Sequence, residues 1–314
     1  MASKGAASIE QSALAVELCG IPLATPLIPA AGTLAREVLK EVRGVYGAML
    51  PKTVTPEPRS GNPPPRVAEA ASGMINSIGL QNPGLERFLK DLDYYDVGVP
   101  LFVSVAADTV GEFAAICERL IEDARVAAVE LNLSCPNVEH GGLQFCAGPS
   151  AVREVVAACR GALAGKPMFV KLASERVVAN AVAAEEAGAD ALTLINTVPA
   201  LVVDARARGV FLRGGLSGPA IKPVALRAVY EVSKVVEVPL IGVGGVACGT
   251  DVAEFMLAGA TAVQVGSGSF VREPRLVLEE FATYLREQGV FARDLTGTLA
   301  GYCGMRDGIL RGRA

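Results

Sequence analysis

Eight short apolar runs recur along the chain, and most are followed by a stretch whose apolar positions repeat at helical spacing. The runs are PLIPAAG (26–32), GAMLPKTV (47–54), LFVSVAA (101–107), AVELNLS (128–134), MFVKLA (168–173), ALTLINT (191–197), PLIGVGG (239–245) and AVQVGSG (262–268). Most are continuously apolar rather than alternating, the pattern of strands covered on both faces. Helical patterns lie at 83–93, 110–123, 149–164, 176–187, 223–235, 250–258 and 272–288. Strands that each lead into a helix or a long insertion predict an α/β fold. The expected form is a (β/α)8 TIM barrel with an N-terminal extension and long inserted loops at its C-terminal face. No linker-like shift in composition divides the 314 residues, so one domain over 1–314 is expected. Within it, 1–13 reads as a frayed start and 288–314 as a tail.

Two stretches exceed a plain barrel connection. One, 55–81, follows the second strand and is rich in Pro and Gly; the other, 199–222, ends in GGLSGPAIKP. Ordered loops of this length are commonly functional, the alternatives being packing or oligomer contact.

Composition narrows the class. Hydrophobic residues make up 51%, enough for a large core, and the net charge of −4 offers no basic field for nucleic acid. The seven cysteines contain no C-x-x-C pair and are odd in number, which argues against a structural metal site or a disulfide framework and for a reducing cytoplasm. The uncharged stretch 18–35 raises the question of a membrane span, but Pro22, Pro26 and Pro29 would break a spanning helix.

Chemistry concentrates in VELNLSCPNVEHGG (129–142). A buried strand breaks there into a loop carrying Asn132, Ser134, Cys135 and Asn137, with Pro136 stiffening the backbone. A thiol between carboxamides at a strand's C-terminal end suits proton transfer and recognition; the alternative is a buried cysteine in an ordinary junction. Polar or glycine residues also end other strands: Lys52, Ser104, Lys171, Asn196 with Thr197, Gly244–Gly245 and Gly266–Ser267. In a barrel those ends face the active site.

Glycines after the seventh and eighth strands suit a phosphate subsite, with the helix starting near Thr250 adding its dipole, or else tight turns. GVGGVA (242–247) also fits a dinucleotide fingerprint, but that motif needs an acidic residue ~20 positions on. The region AVQVGSG has none, and the reading fails. Lys171, inside a strand, requires an anionic partner. A flavin, which gains negative charge on reduction, is one candidate, and Glu130 on the neighbouring strand is the structural alternative. Lys52 poses the same question.

Taken together, SCPNVEHGG, NPPPRVAEAASGMINSIGLQNPG and GGLSGPAIKPVALRAV closely resemble the class 1B dihydroorotate dehydrogenases over about 16–285. These FMN barrels oxidise dihydroorotate to orotate in pyrimidine biosynthesis. The resemblance implies Cys135 as the base. It assigns Lys52, Asn76, Gly79, Leu80, Asn132, Asn137, Asn196 and Thr197 to the substrate. It assigns Ala31, Lys52, Thr53, Ser104, Asn132, Lys171, Ile195, Gly218, Gly244, Gly245, Gly266 and Ser267 to FMN. Asparagine carboxamides match the alternating donors and acceptors of an orotate ring.

Ser104 departs from the family, which usually has Asn there, and puts one flavin hydrogen bond in doubt. Cys146 has no assigned role, and His140, the only histidine, is expected to be an exposed loop residue. The family pairs this subunit with one carrying FAD and a [2Fe–2S] cluster, which passes electrons to NAD. This chain has neither the cluster cysteines nor the fingerprint for that task, so NAD use would require such a partner. The expected assembly is a homodimer, or a heterotetramer with that partner. Open alternatives are a fumarate-linked class 1A mode, a dihydropyrimidine dehydrogenase-type FMN subunit, and a flavin- or phosphate-binding barrel without redox activity.

Overall fold

Residues whose two faces are both apolar leave water only by being covered on both sides, and the observed sheet does this. The computed structural model describes residues 13–34, 39, 43–135, 137 and 142–299. Seven parallel strands are hydrogen-bonded in one curled sheet: β3 (Leu27–Pro29), β13 (Ala260–Val265), β12 (Leu240–Val243), β9 (Ala191–Leu194), β8 (Met168–Leu172), β7 (Val126–Asn132) and β6 (Leu101–Val105). Segment 47–54 closes the ring between β3 and β6. Gly47 N–H donates to Leu27 O at 2.8 Å, and Met49 and Val54 pair in parallel with Leu101 and Val105. Pro51 has no N–H to give, so this eighth stave is held by isolated bridges rather than a continuous ladder.

Helices α1 (Leu85–Lys90), α2 (Val110–Ile121), α3 (Pro149–Ala162), α4 (Val177–Glu186), α5 (Lys222–Val232), α6 (Gly249–Leu257) and α7 (Pro274–Gln288) follow the strands in order. The helical spacings in the sequence thus translate into elements. Thr109 and Glu112 start α2 with a reciprocal capping box, and α7 stops at Gly289, whose φ of 67° continues no helix. Apolar helix positions such as Phe113, Ile116 and Leu120 are fully buried.

Inside the barrel, alternate residues of each strand point to the axis and form layers. Phe102 and Phe169 meet edge to face, with centroids 5.1 Å apart, and plug one layer. Two residues further along those strands and their neighbours lies a polar layer: Ser104, Glu130, Lys171, Thr193 and Gln264, all buried.

The N-terminal extension is a hairpin of β1 (Val16–Leu18) and β2 (Ile21–Leu23). Cys19 Sγ reaches Asp190 O at 3.2 Å, which puts the hairpin at the N-terminal end of the barrel. The chain beyond α7 also packs as far as Leu299. Ala292 and Leu295 are buried, and Gly297 and Leu299 N–H donate to Met256 and Leu257 carbonyls. Residues 300–314 lie outside the described residues.

The two long insertions are not separate loops. β4 (Val67–Ala70) and β5 (Gly73–Asn76) from the first pair with β11 (Gly209–Ser217) and β10 (Val198–Asp204) from the second. They form one antiparallel four-stranded sheet in the order β10-β11-β5-β4.

Candidate active site

The apolar pattern of β7 ends at Asn132, and the hydrogen bonds there aim its amide. Asn132 Oδ1 accepts from Ser134 N (3.4 Å), Ser134 Oγ (3.3 Å) and Asn196 Nδ2 (3.3 Å). Asn196 Nδ2 also donates to Ser134 Oγ at 3.0 Å. With its oxygen engaged on that side, Asn132 turns Nδ2 toward Thr53 Oγ1, 3.5 Å away. Asn196 Oδ1 in turn accepts from Thr197 N at 2.7 Å, so one carboxamide fixes the next.

Cys135 follows in the loop, 7% exposed, packed with Leu80 and Ala106. Burial pushes its thiol above the ordinary range; the Asn137 N–H and the cations Lys52 and Arg59 oppose the shift without cancelling it. Lys52 is perturbed the other way. Burial lowers its ammonium pKa, the Cys135 charge raises it, and Lys171 lowers it further. A buried thiol and a desolvated ammonium that line one cavity can exchange a proton with a ligand held there.

Asn137 connects this loop to the overlying sheet. Its Nδ2 donates to Asn76 Oδ1 at 3.1 Å, and its carbonyl accepts from Asn62 Nδ2 at 3.1 Å. Asn137 Oδ1 is buried without a partner among the described residues. Pro136 and His140 lie outside them.

Across the cavity the chain exposes backbone. Gly245 has φ 82°, and a Cβ there would come within 2.8 Å of Lys222 Cβ and 2.9 Å of Gly218 O, so only glycine fits. Gly266 differs: a Cβ there would meet only Ala30 Cβ, at 3.7 Å, and would project into open space. Beside it, Ser267 Oγ is buried with no partner among the described residues. The helix near Thr250, expected to point its dipole at a phosphate, has its N-terminal groups already engaged. Asp251 Oδ2 accepts from Ala247 N (2.7 Å) and Cys248 N (3.0 Å), and Glu280 Oε2 accepts from Gly249 N (2.9 Å). The Gly245 and Gly266–Ser267 loops, not that helix, line the cavity on this side.

These features surround one cavity of about 360 Å³ at the C-terminal ends of the strands. Of the residues singled out in the sequence, it brings together Ala31, Lys52, Thr53, Asn76, Gly79, Leu80, Asn132, Cys135, Asn137, Lys171, Ile195, Asn196, Thr197, Gly218, Gly244, Gly245, Gly266 and Ser267. Ser104, expected at the flavin, does not line it. The shorter side chain stays in the buried layer inside the barrel, 3.0 Å from Thr53 Oγ1, and braces Thr53 instead. Lys171 lines the cavity, and its Nζ is 4.0 Å from Oε1 of Glu130, the structural partner weighed for it. Gly32, Ser217 and Phe270 also line the cavity and were not anticipated. Gly32 ends the first apolar run and Ser217 lies in GGLSGPAIKP, so both had a sequence signal; Phe270 had none.

A curled sheet of parallel strands with a polar, glycine-walled cavity at its C-terminal end defines an α/β barrel with a ligand site at its mouth, and comparison with known proteins supplies its chemical class. The dihydroorotate dehydrogenase family model matches residues 13–283. The chain belongs to the dihydroorotate dehydrogenase family, whose members are oxidoreductases. It is 44% identical to the dihydroorotate dehydrogenase B (NAD(+)) catalytic subunit of Pelobacter propionicus, over 91% of this chain and 98% of that one. It is 43% identical, at the same coverage, to a Solibacter usitatus protein provisionally named dihydroorotate dehydrogenase A (fumarate). In structure it resembles the dihydroorotate dehydrogenase of Eimeria tenella crystallised with ferulenol. There the TM-score is 0.79 at 25% identity, covering 92% of this chain and 89% of that one. Among the described residues no helix is long and apolar enough to cross a membrane.

Proposed function

We propose that this chain oxidises (S)-dihydroorotate to orotate in pyrimidine biosynthesis, using FMN held in the 360 Å³ cavity. The observation that carries the reading is the convergence of Cys135, Lys52 and the carboxamides of Asn76, Asn132, Asn137 and Asn196 on that cavity. Its walls fit a phosphorylated flavin. Among the described residues Ser267 Oγ is an orphan donor and nothing but Ala30 Cβ approaches the space beside Gly266, and Lys171 supplies a cation. Gly218, Gly244 and Gly245 would flank the ribityl phosphate, and Ala31, Thr53 and Ile195 the ring.

The Asn carboxamides orient a flat ring by offering it paired donors and acceptors, with the unpartnered Asn137 Oδ1 as one acceptor. Cys135, as thiolate, removes the C5 proton, and Lys52 favours that thiolate by its charge. Bound FMN would supply the acceptor for the hydride that leaves C6. Covering the cavity with the four-stranded sheet limits water and strengthens these interactions.

Electrons would leave through a partner subunit carrying FAD and a [2Fe–2S] cluster and pass to NAD, in a cytoplasmic heterotetramer built on a homodimer of this chain. The similarity to a fumarate-linked relative keeps a second acceptor in view. Anaerobic addition of dihydroorotate to the FMN-loaded chain is expected to bleach the flavin; an unchanged spectrum refutes the reading. Faster turnover with dihydrouracil would point to a dihydropyrimidine dehydrogenase-type subunit. Assays of the isolated chain with fumarate and with NAD separate the two acceptors.

A further inference from the structure

Four polar side chains from four strands meet in the barrel interior directly beneath the cavity. Lys171 Nζ (β8) donates to Gln264 Oε1 (β13) at 3.1 Å. Gln264 Nε2 donates to Glu130 Oε2 (β7) at 2.7 Å, and the same oxygen accepts from Thr193 Oγ1 (β9) at 3.0 Å. Glu130 Oε1 has no hydrogen bond among the described residues and lies 4.0 Å from Lys171 Nζ. Glu130 and Thr193 are fully buried, Gln264 is 1% exposed, and Lys171, 6% exposed, is the one member that reaches the cavity.

A carboxyl group in a barrel core is costly unless it is paired. Apolar residues of similar size would fill this layer at less electrostatic cost, so stability alone gives a weak reason for it. The arrangement has a direction. The Gln264 amide cannot flip without setting its NH2 against the Lys171 ammonium and its oxygen against the Glu130 carboxylate. Gln264 therefore fixes where Lys171 stands, and Glu130 sets how much of its positive charge the cavity feels.

We propose that Glu130 and Gln264 are positioning residues that act through Lys171 to set the reduction potential of the cofactor. The inference rests on the flavin reading of the cavity. Reduction gives a flavin negative charge, which a nearby cation stabilises. A carboxylate behind that cation weakens the effect and holds the potential down.

Opposite substitutions test this. Glu130→Gln removes the carboxylate and should strengthen binding of reduced over oxidised FMN about tenfold, a rise of about 30 mV for the two-electron couple. Gln264→Glu places a second carboxylate against Lys171 and should lower the potential by a similar amount. The double variant Glu130→Gln/Gln264→Glu restores the charge count and should fall between the two. Potentials are measured by dye-coupled titration of the FMN-loaded proteins with a chemical reductant, and FMN affinity for the oxidised state is measured alongside. Shifts of the same sign in both single variants, or unchanged potentials with FMN retained, overturn the proposal, since loosened packing would not reverse sign with charge. If a single variant fails to fold, the sign of the other and of the double variant still decides. Because the titration needs no substrate, the shifts remain measurable if dihydroorotate proves not to reduce the wild type. Failure of the wild type to bind FMN overturns both readings.

Discussion

Asn137 Nδ2 donates to Asn76 Oδ1 at 3.1 Å, tying the loop beyond β7 to the antiparallel sheet over the barrel mouth. Asn76 can aim its side chain because its backbone is gripped from both sides, opposite Gly215 on β11 and Val67 on β4. Replacing either Asn with Ala should lower kcat/KM for dihydroorotate roughly 10- to 100-fold, the loss of one or two well-placed hydrogen bonds. The double variant should cost less than the sum, because the two share one contact. Steady-state kinetics on the cycle checks both statements; full additivity would mean that the pair does not act as a unit.

Cys135 predicts a pH dependence. Burial raises its thiol pKa, so the thiolate is scarce at neutral pH and turnover should climb into the alkaline range. Lys52 and Arg59 both lower that pKa, so Arg59→Ala should move the rising limb of the kcat profile to higher pH. Cys135→Ala should keep bound FMN and lose turnover; a colourless protein would show the residue to be structural. A profile unchanged in Cys135→Ser would remove the thiol from the role of base.

Gly266 and Gly245 separate cofactor binding from folding. At Gly266, φ is −98° and a Cβ meets only Ala30 Cβ at 3.7 Å, so Gly266→Ala should disturb apoprotein stability less than Gly245→Ala. It should nonetheless weaken FMN binding tenfold or more by filling space the ligand needs. Gly245→Ala forces a side chain against Lys222 and the Gly218 carbonyl, and should lower the melting temperature of the apoprotein as well. Melting curves with and without FMN distinguish the two.

Asp251 predicts acid sensitivity of the adjoining turn. Burial works to raise its pKa, but Lys222 Nζ at 2.6 Å and the Ala247 and Cys248 N–H groups hold it below the ordinary carboxylate range. A carboxyl with a depressed folded pKa stabilises the fold above its unfolded pKa of about 3.9 and loses that contribution as pH falls through the folded value. Asp251→Asn should cost about 2 kcal/mol at pH 7 and flatten the acid limb of stability against pH. Denaturant melts at pH 7 and pH 3 measure the difference.

The barrel was legible because its strands advertise themselves locally. A run such as MFVKLA is apolar on both faces and must be covered on both, wherever it falls in the chain. Segment 47–54 was recognised as a stave, although Pro51 leaves it only bridges. The loop of Asn132, Cys135 and Asn137 was legible for a related reason: polar groups packed into six residues at a strand end have few structural uses.

Relations between distant segments were not legible. That 55–81 and 199–222 share one sheet depends on pairings such as Asn76 with Gly215, which neither loop specifies alone. Ser104 bracing Thr53 and Gln264 linking Lys171 to Glu130 are likewise contacts across 51 to 134 positions. The chain's own pattern determined which residues are strands, which are helices, and where chemistry gathers, since periodicity and burial act over a few neighbours. Only barrel closure decided which polar groups satisfy one another, because a buried donor or acceptor takes whatever partner the folded geometry brings within about 3 Å.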